Sequence, residues 1–136
     1  MMLPSGLPNH VADIEPLSRF ITSDSQFNNA MPKASAFMPG PVDAKTSVFR
    51  QRAEPLPALW EMADREIGAA RRVRAVAALT AADIRQARLD VEAQEPPPRH
   101  ANIIGWPTVA HDPELSRAQR KELALLLAQS ATLIRR

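Results

Sequence analysis

Histidine is the one common side chain that changes charge near neutral pH, so it is the first place to look for proton transfer. This chain has three, His10, His100 and His111. His100 stands beside Arg99 in "EPPPRHANIIGWP", residues 95–107, at the head of a short apolar run. There it can serve as a general acid or base, or simply cap and pack the end of a strand. Ser35 in "KASAF" and Ser47 in "TSVF" are hydroxyls on short runs that read as strands, and Arg19 in "SRF" is a fork-shaped cation suited to a carboxylate or phosphate. An arginine, two serines and a histidine brought together could bind an anionic or peptide-like ligand. Ordinary strand hydroxyls are the plainer account of the serines.

Other chemistries are excluded by what is missing. With no cysteine there is no disulfide, thiolate metal site or thiol nucleophile. There is no Gly-x-Ser-x-Gly elbow and no serine–lysine motif. Four glycines, at 6, 40, 68 and 105, cannot build a glycine-rich phosphate loop. His111, Asp112 and Glu114 offer donors close together, but "HDPE" reads more simply as a helix start, and scattered histidines argue against zinc. No metal and no cofactor are expected. "RRVR" could set Arg72 and Arg74 on one strand face with Arg71 nearby, as a phosphate-contacting patch or as a charged, protected edge. Interleaved aromatics, the mark of an RNA-reading sheet, are absent beside it. Trp60 lies on an apolar helical stripe and reads as core; Trp106, before Pro107, either covers the core edge or anchors a partner.

The elements that position these groups follow from pattern. In 136 residues, 45% hydrophobic and 24% charged, there is room for one core, which aliphatic residues must fill because aromatics are only 4%. Thirteen prolines imply short elements with stiff joints. Residues 1–10, with two prolines and no periodicity, read as a loose N-terminal arm, and residues 11–136 as a single domain. Leu17, Phe20 and Ile21 have helical spacing, predicting a short helical turn. Ala34–Met38 and Thr46–Arg50 read as two strands joined through Pro39, Gly40 and Pro41. Leu56, Leu59, Trp60, Ala63 and Ile67 trace a helix face, with Pro57 in the first turn and Gly68 at the end. "RRVRAVAALT" predicts a strand, Thr80 with Asp83 a helix start, "LDVEA" a strand, and "HANIIGW" another after the three prolines. The last helix begins at Pro113 after Asp112, with a Ser116–Gln119 capping box and an apolar face running through Leu123, Leu126, Leu127, Ser130 and Ile134; Arg135 and Arg136 would complement its C-terminal dipole. The expected fold is α+β: one compact domain, a small mixed or antiparallel sheet of about five short strands, and about three helices.

The blocks "SRF", "KASAFMP", "TSVFR" and "HANIIGWP", in that order before an alanine- and leucine-rich final helix, resemble a family of small uncharacterised bacterial proteins associated with mobile or defence-type operons. The resemblance implies an accessory role and supplies no reaction; the polar residues it carries over are Arg19, Lys33, Ser35, Ser47 and His100. The expected function is a non-enzymatic accessory, binding or assembly subunit of a bacterial multi-protein system, meeting a protein partner encoded nearby through Trp106 and Arg99. The alternative is a small enzyme or ligand-binding effector with a site of Arg19, Ser35, Ser47 and His100. A third reading is nucleic-acid binding through Arg71, Arg72 and Arg74, although a net charge of +2 is too small to require it. With no run of 18 apolar residues and no basic-then-apolar leader, the expected location is the cytoplasm, away from the membrane.

Overall fold

The structure, a computed structural model, describes residues 2–50, 55–67 and 71–136. Six strands form one sheet: β1 (Pro16–Ile21), β2 (Thr46–Arg50), β3 (Ala75–Thr80), β4 (Asp90–Ala93), β5 (His100–Ile104) and β6 (Thr132–Arg135), in the order β4-β5-β2-β1-β3-β6. All neighbouring pairs are antiparallel. Three helices accompany them: α1 (Leu56–Glu66), α2 (Ala81–Gln86) and α3 (Pro113–Ser130). The α+β expectation therefore holds, with one strand more than foreseen.

Strand alternation divides the core in two. One face of the sheet carries Leu17, Val48, Ala77, Leu79, Val91, Ala101 and Ile103, which pack with Ile84 of α2, with Ala124, Leu127 and Ala128 of α3, and with Phe37 and Trp106. The opposite face carries Phe20, Phe49 and Val76, which pack with Leu59, Met62 and Ala63 of α1. Small alanines of β3, β5 and α3 let that helix approach the first face, and the stacked Phe20 and Phe49 fill the second.

Several elements differ from expectation for a readable reason. Residues 16–21 are a strand, not a helical turn: β1 is interior to the sheet and both sheet faces are covered there, so Leu17 and Ile21 are buried in one core and Phe20 in the other. A strand buried on both faces loses its polar–apolar alternation and can imitate helical spacing. Ala34–Met38 is not a strand either; Ala34–Ala36 form a 3-10 turn that drops Phe37 into the core, and the Thr46 hydroxyl donates to the Phe37 carbonyl at 2.8 Å. α1 has Pro57 in its first turn as expected, while Gly68, its expected terminus, lies outside the described residues. Leu56, assigned to its buried face, is 51% exposed.

Thr80 and Asp83 form a reciprocal capping box at the start of α2. At α3 the cap is Asp112, whose carboxylate accepts from the Leu115 N–H at 2.9 Å. Ser116 does not cap; it is buried and accepts from the Val109 N–H at 2.7 Å. α3 also stops at Ser130 because Ala131 turns extended, and residues 132–135 join the sheet edge. Arg135 and Arg136 thus belong to a strand end rather than a helix C-terminus.

Residues 2–10, expected as part of a loose arm, pack onto the domain. Leu7 is buried, the Ser5 hydroxyl and N–H donate to the Glu95 carboxylate at 2.5 and 2.9 Å, and the Pro8 carbonyl accepts from Arg50 at 2.7 Å. Arg50 itself is fully buried and forks onto Glu15 at 2.6 and 2.9 Å, tying β2 to the segment before β1. Among the described residues no helix is long and apolar enough to cross a membrane.

Candidate functional site

The face that carries Phe49 turns polar toward the β5 side. The β2–β5 register sets Ser47 opposite Asn102 and Phe49 opposite His100. Ser47 and His100 are therefore diagonal neighbours on one face, a separation an imidazole can bridge. Ser47 Oγ lies 2.7 Å from His100 Nε2, and His100 Nδ1 lies 2.8 Å from the Gln94 carbonyl oxygen. A carbonyl only accepts, so the Nδ1 proton belongs on that side; in the neutral ring Nε2 is then the acceptor, and the Ser47 hydroxyl donates to it. The direction of the Ser47–His100 bond is set by a main-chain group of the neighbouring strand connection.

The partly exposed ring is held at both nitrogens and by one aromatic neighbour. His100 meets the Phe49 ring edge-on, with centroids 5.4 Å apart and an interplanar angle of 66°, and Phe49 stacks on Phe20 at 5.3 Å. Gln94 is fixed in turn, because its N–H donates to the His100 carbonyl at 2.9 Å and its side-chain oxygen accepts from Asn102. The turn between β4 and β5 closes through the His100 N–H on the Pro97 carbonyl, with Arg99 in a left-handed conformation at φ 66°.

Arg19 reaches the same strand from the other side. The β1–β2 ladder pairs only Leu17 with Arg50 and Ser18 with Phe49, and then opens. Into that opening the Arg19 guanidinium donates from Nη1 to the Ser47 carbonyl at 2.9 Å and from Nε to the Ala36 carbonyl at 2.8 Å. Burial lowers its pKa from the usual guanidinium value. A cavity of about 170 Å³ is lined by Arg19, Thr22, Ser47, Phe49, Ile67 and Arg71. Two cations thus border the small space that the Ser47 side of the pair also lines.

Of the four expected site residues, Ser47 and His100 pair on the Phe49 face of the sheet, whereas Arg19, set opposite Ala77, projects from the Leu17 face and reaches the Ser47 carbonyl rather than its hydroxyl. Ser35 is not part of the pair: it is exposed on the 3-10 turn, where its carbonyl accepts from Gln26. Trp106, expected as a partner anchor if its ring met solvent, is 6% exposed, packs in the larger core and donates from Nε1 to the Ile103 carbonyl at 3.3 Å. Arg99 sits at the β4–β5 turn, its N–H donating to Glu95 at 3.2 Å and its carbonyl accepting from the Arg50 N–H at 2.7 Å. Arg71, Arg72 and Arg74 share no strand face, because β3 begins only at Ala75; Arg71 borders the Ser47 cavity, and Arg72 and Arg74 line a different one. Among the described residues no group of three or more histidine or acidic side chains is gathered to hold a metal.

A larger cavity, about 530 Å³, lies elsewhere, between Met38–Pro41 and the start of α3. Several of its polar groups are committed, since Arg120 donates to the Pro107 carbonyl and the Thr108 hydroxyl at 2.8 Å each and Ser116 and Asp112 hold the α3 start; His111 and Arg117 line it as well. Neither Ser47 nor His100 lines it, whereas the smaller cavity is lined by Ser47. Sequence reasoning missed Gln94, whose contribution is a carbonyl that no side-chain pattern can announce. No family model, curated protein or solved structure matches this chain.

Proposed function

We propose that the protein is a small enzyme or ligand-binding effector that acts through Ser47 and His100 on an anionic, acyl-bearing ligand. The observation that carries this reading is the 2.7 Å contact from Ser47 Oγ to His100 Nε2, with Nδ1 committed to the Gln94 carbonyl. That is the arrangement in which a hydroxyl is made nucleophilic by a neighbouring base whose far nitrogen is oriented by a third group. In the proposed step Ser47 Oγ bonds to the acyl carbon while its proton passes to His100 Nε2. The leaving group then departs with that proton, and water, deprotonated by His100, releases the acyl group. The third member here is a neutral dipole rather than a carboxylate, so it orients the imidazole without supplying a full charge to the imidazolium, which points to modest rates. Arg19 and Arg71 would hold an anionic part of the ligand.

A serine-directed fluorophosphonate read by intact mass tests the reading. One adduct on Ser47 is expected, absent in Ser47→Ala and formed about 10²-fold more slowly in His100→Gln, the lower range for loss of a positioned base. No adduct on the folded protein, or an adduct on another serine only, would overturn it.

A second reading, a non-enzymatic accessory subunit of a bacterial, defence-type system working in the cytoplasm, is supported by the order of its sequence blocks and by Ile14, which is 88% exposed beside a shallow groove formed with Leu7, Pro8 and Ala12. Recovery of a stoichiometric protein partner that Ile14→Glu releases would favour it. A solitary monomer from the native host would remove it.

A further inference from the structure

The antiparallel β3–β6 pair brings together the two most arginine-rich stretches of the described chain. Ala75 pairs with Arg135, and beyond that pair the Arg136 N–H donates to the Arg74 carbonyl at 3.1 Å. Arginines separated by about sixty residues in sequence therefore meet at one corner of the sheet. Arg72, Arg74, Arg135 and Arg136, with Phe27 and Asp24, line a cavity of about 230 Å³, room for roughly seven waters at about 30 Å³ each.

These four cations are not equivalent. Arg136 forks onto Asp64 with both contacts at 2.6 Å and lies 5.2 Å over the Trp60 ring, so its charge is matched and its position fixed. The Arg136 bond holds the Asp64 carboxyl below its usual pKa range, keeping that fork ionised. Arg135 is set over the Phe27 ring at 6.0 Å, a contact that orients it without neutralising it. Arg74 faces Asp24 at 3.4 Å with both groups largely in solvent, an ion pair of small worth. Arg72 is exposed and makes no direct ion pair among the described residues, its charge acting at longer range on Asp64, which Arg136 already holds. Three guanidinium groups thus look into one cavity against a single loosely held carboxylate. One carboxylate ligand would occupy one fork, whereas linked phosphates present enough oxygens and charge to engage all three.

We propose that this corner cleft binds a phosphate-bearing oligoanion through Arg72, Arg74 and Arg135, with Arg136 as its fixed wall. The site is separate from Ser47 and does not depend on the reading given to that residue. Arg71, the first arginine of the same run, faces the Ser47 cavity and is not part of it.

Tripolyphosphate and fluorescent oligothymidylates of increasing length, titrated at 50 and 200 mM salt, are suitable probes, covering free polyphosphate and a nucleic-acid strand. Wild type is expected to bind, and Arg72→Ala/Arg135→Ala to bind at least tenfold more weakly with an unchanged melting temperature. For the oligonucleotide, the slope of log K against log salt should become shallower by about 0.7 for each phosphate that the variant no longer neutralises. Affinity that rises with oligothymidylate length assigns the site to a strand; tripolyphosphate affinity equal to that of the longest oligomer assigns it to free polyphosphate. Arg117→Ala, removing an exposed α3 arginine outside the cleft, should leave binding intact. Absence of binding by both probes, or an equal loss in Arg117→Ala, would overturn the proposal.

Discussion

Replacing Arg50 by methionine should be the most damaging single charge removal in the sheet. Its side chain is fully buried, and its donors serve Glu15 at 2.6 and 2.9 Å, the Pro8 carbonyl at 2.7 Å and the His10 carbonyl at 3.3 Å. Removing one member of a buried ion pair costs about 3–5 kcal/mol, chiefly through the uncompensated charge left behind. The lower end applies here, about 3 kcal/mol, because the Glu15 side chain keeps 16% exposure and water can reach it. With an unfolding entropy of about 2.1 cal/mol/K per residue, a chain of 136 residues loses about 10 °C of melting temperature for that free energy. Urea and thermal melts of wild type, Arg50→Met, Glu15→Gln and the double variant close a thermodynamic cycle. The double variant should be more stable than the sum of the single losses implies, since neither partner is then stranded. A loss below about 1 kcal/mol in Arg50→Met, or strict additivity across the cycle, would refute the clamp. Because Ser47 lies on the same short strand, Arg50→Met should also slow any labelling of Ser47.

Three further outcomes follow from the geometry. Trp106→Ala should destabilise the fold by about 3–5 kcal/mol in a urea melt, as truncation of a buried aromatic does, rather than act by releasing a partner from an intact domain. For Glu95, burial acts to raise the pKa, but hydrogen bonds from the Ser5 hydroxyl and N–H and from the Arg99 N–H outweigh it and hold the carboxyl below its usual range; the folded state therefore binds fewer protons than the unfolded chain, the stabilisation is present above the unfolded carboxylate range and fades as pH falls through the lower folded value, and Ser5→Ala should move the acid-unfolding midpoint upward in a pH titration. The Ser47→Ala/His100→Phe double variant should cost less than about 1 kcal/mol, the scale of one cross-strand pair, because phenylalanine keeps the contact with Phe49 and water can serve the exposed Gln94 carbonyl; a loss above about 3 kcal/mol would make the pair structural.

What the sequence made legible divides along physical lines. Thr46–Arg50 and His100–Ile104 were readable because turn-forming or proline-rich residues bound each apolar run, and α2 because its Thr80–Asp83 box is a purely local device. β1 was not, since burial on both faces erased its period, and β6 was not, because the Leu-rich pattern of α3 runs on through Ile134 without a glycine or proline to mark the change. For the site, residue types alone nominated Ser47, His100 and Arg19; the structure pairs the first two through their side chains, and Arg19 meets only the Ser47 main chain from the opposite sheet face. Ser35 failed because it was assigned to a strand that is a 3-10 turn, and Trp106 because a tryptophan before a proline looks alike whether it covers a core or leaves it. The arginine corner was half visible: Arg72 and Arg74 stood out as a run, but their companions come from the chain's other end through the β3–β6 pairing, which follows from the missed strand.

The placement of the Ser47–His100 pair explains how a domain this small can hold the geometry that the proposed reaction requires. Its sheet face is apolar where α1 covers it, through Phe20, Phe49 and Val76, and polar across Ser47, His100 and Asn102. Phe49 belongs to both parts, stacking on Phe20 toward the core and meeting the His100 ring toward the polar side. The imidazole is therefore oriented by a side chain that folding must bury in any case, and its tautomer is set by a carbonyl whose position the Gln94–His100 hairpin bond already fixes. Little further ordering is then needed to align the pair, which is what preorganisation of a site requires. The same economy does not extend to Arg19, which fills an opened ladder from the opposite sheet face, is held there on carbonyl oxygens, and whose burial disfavours its charge.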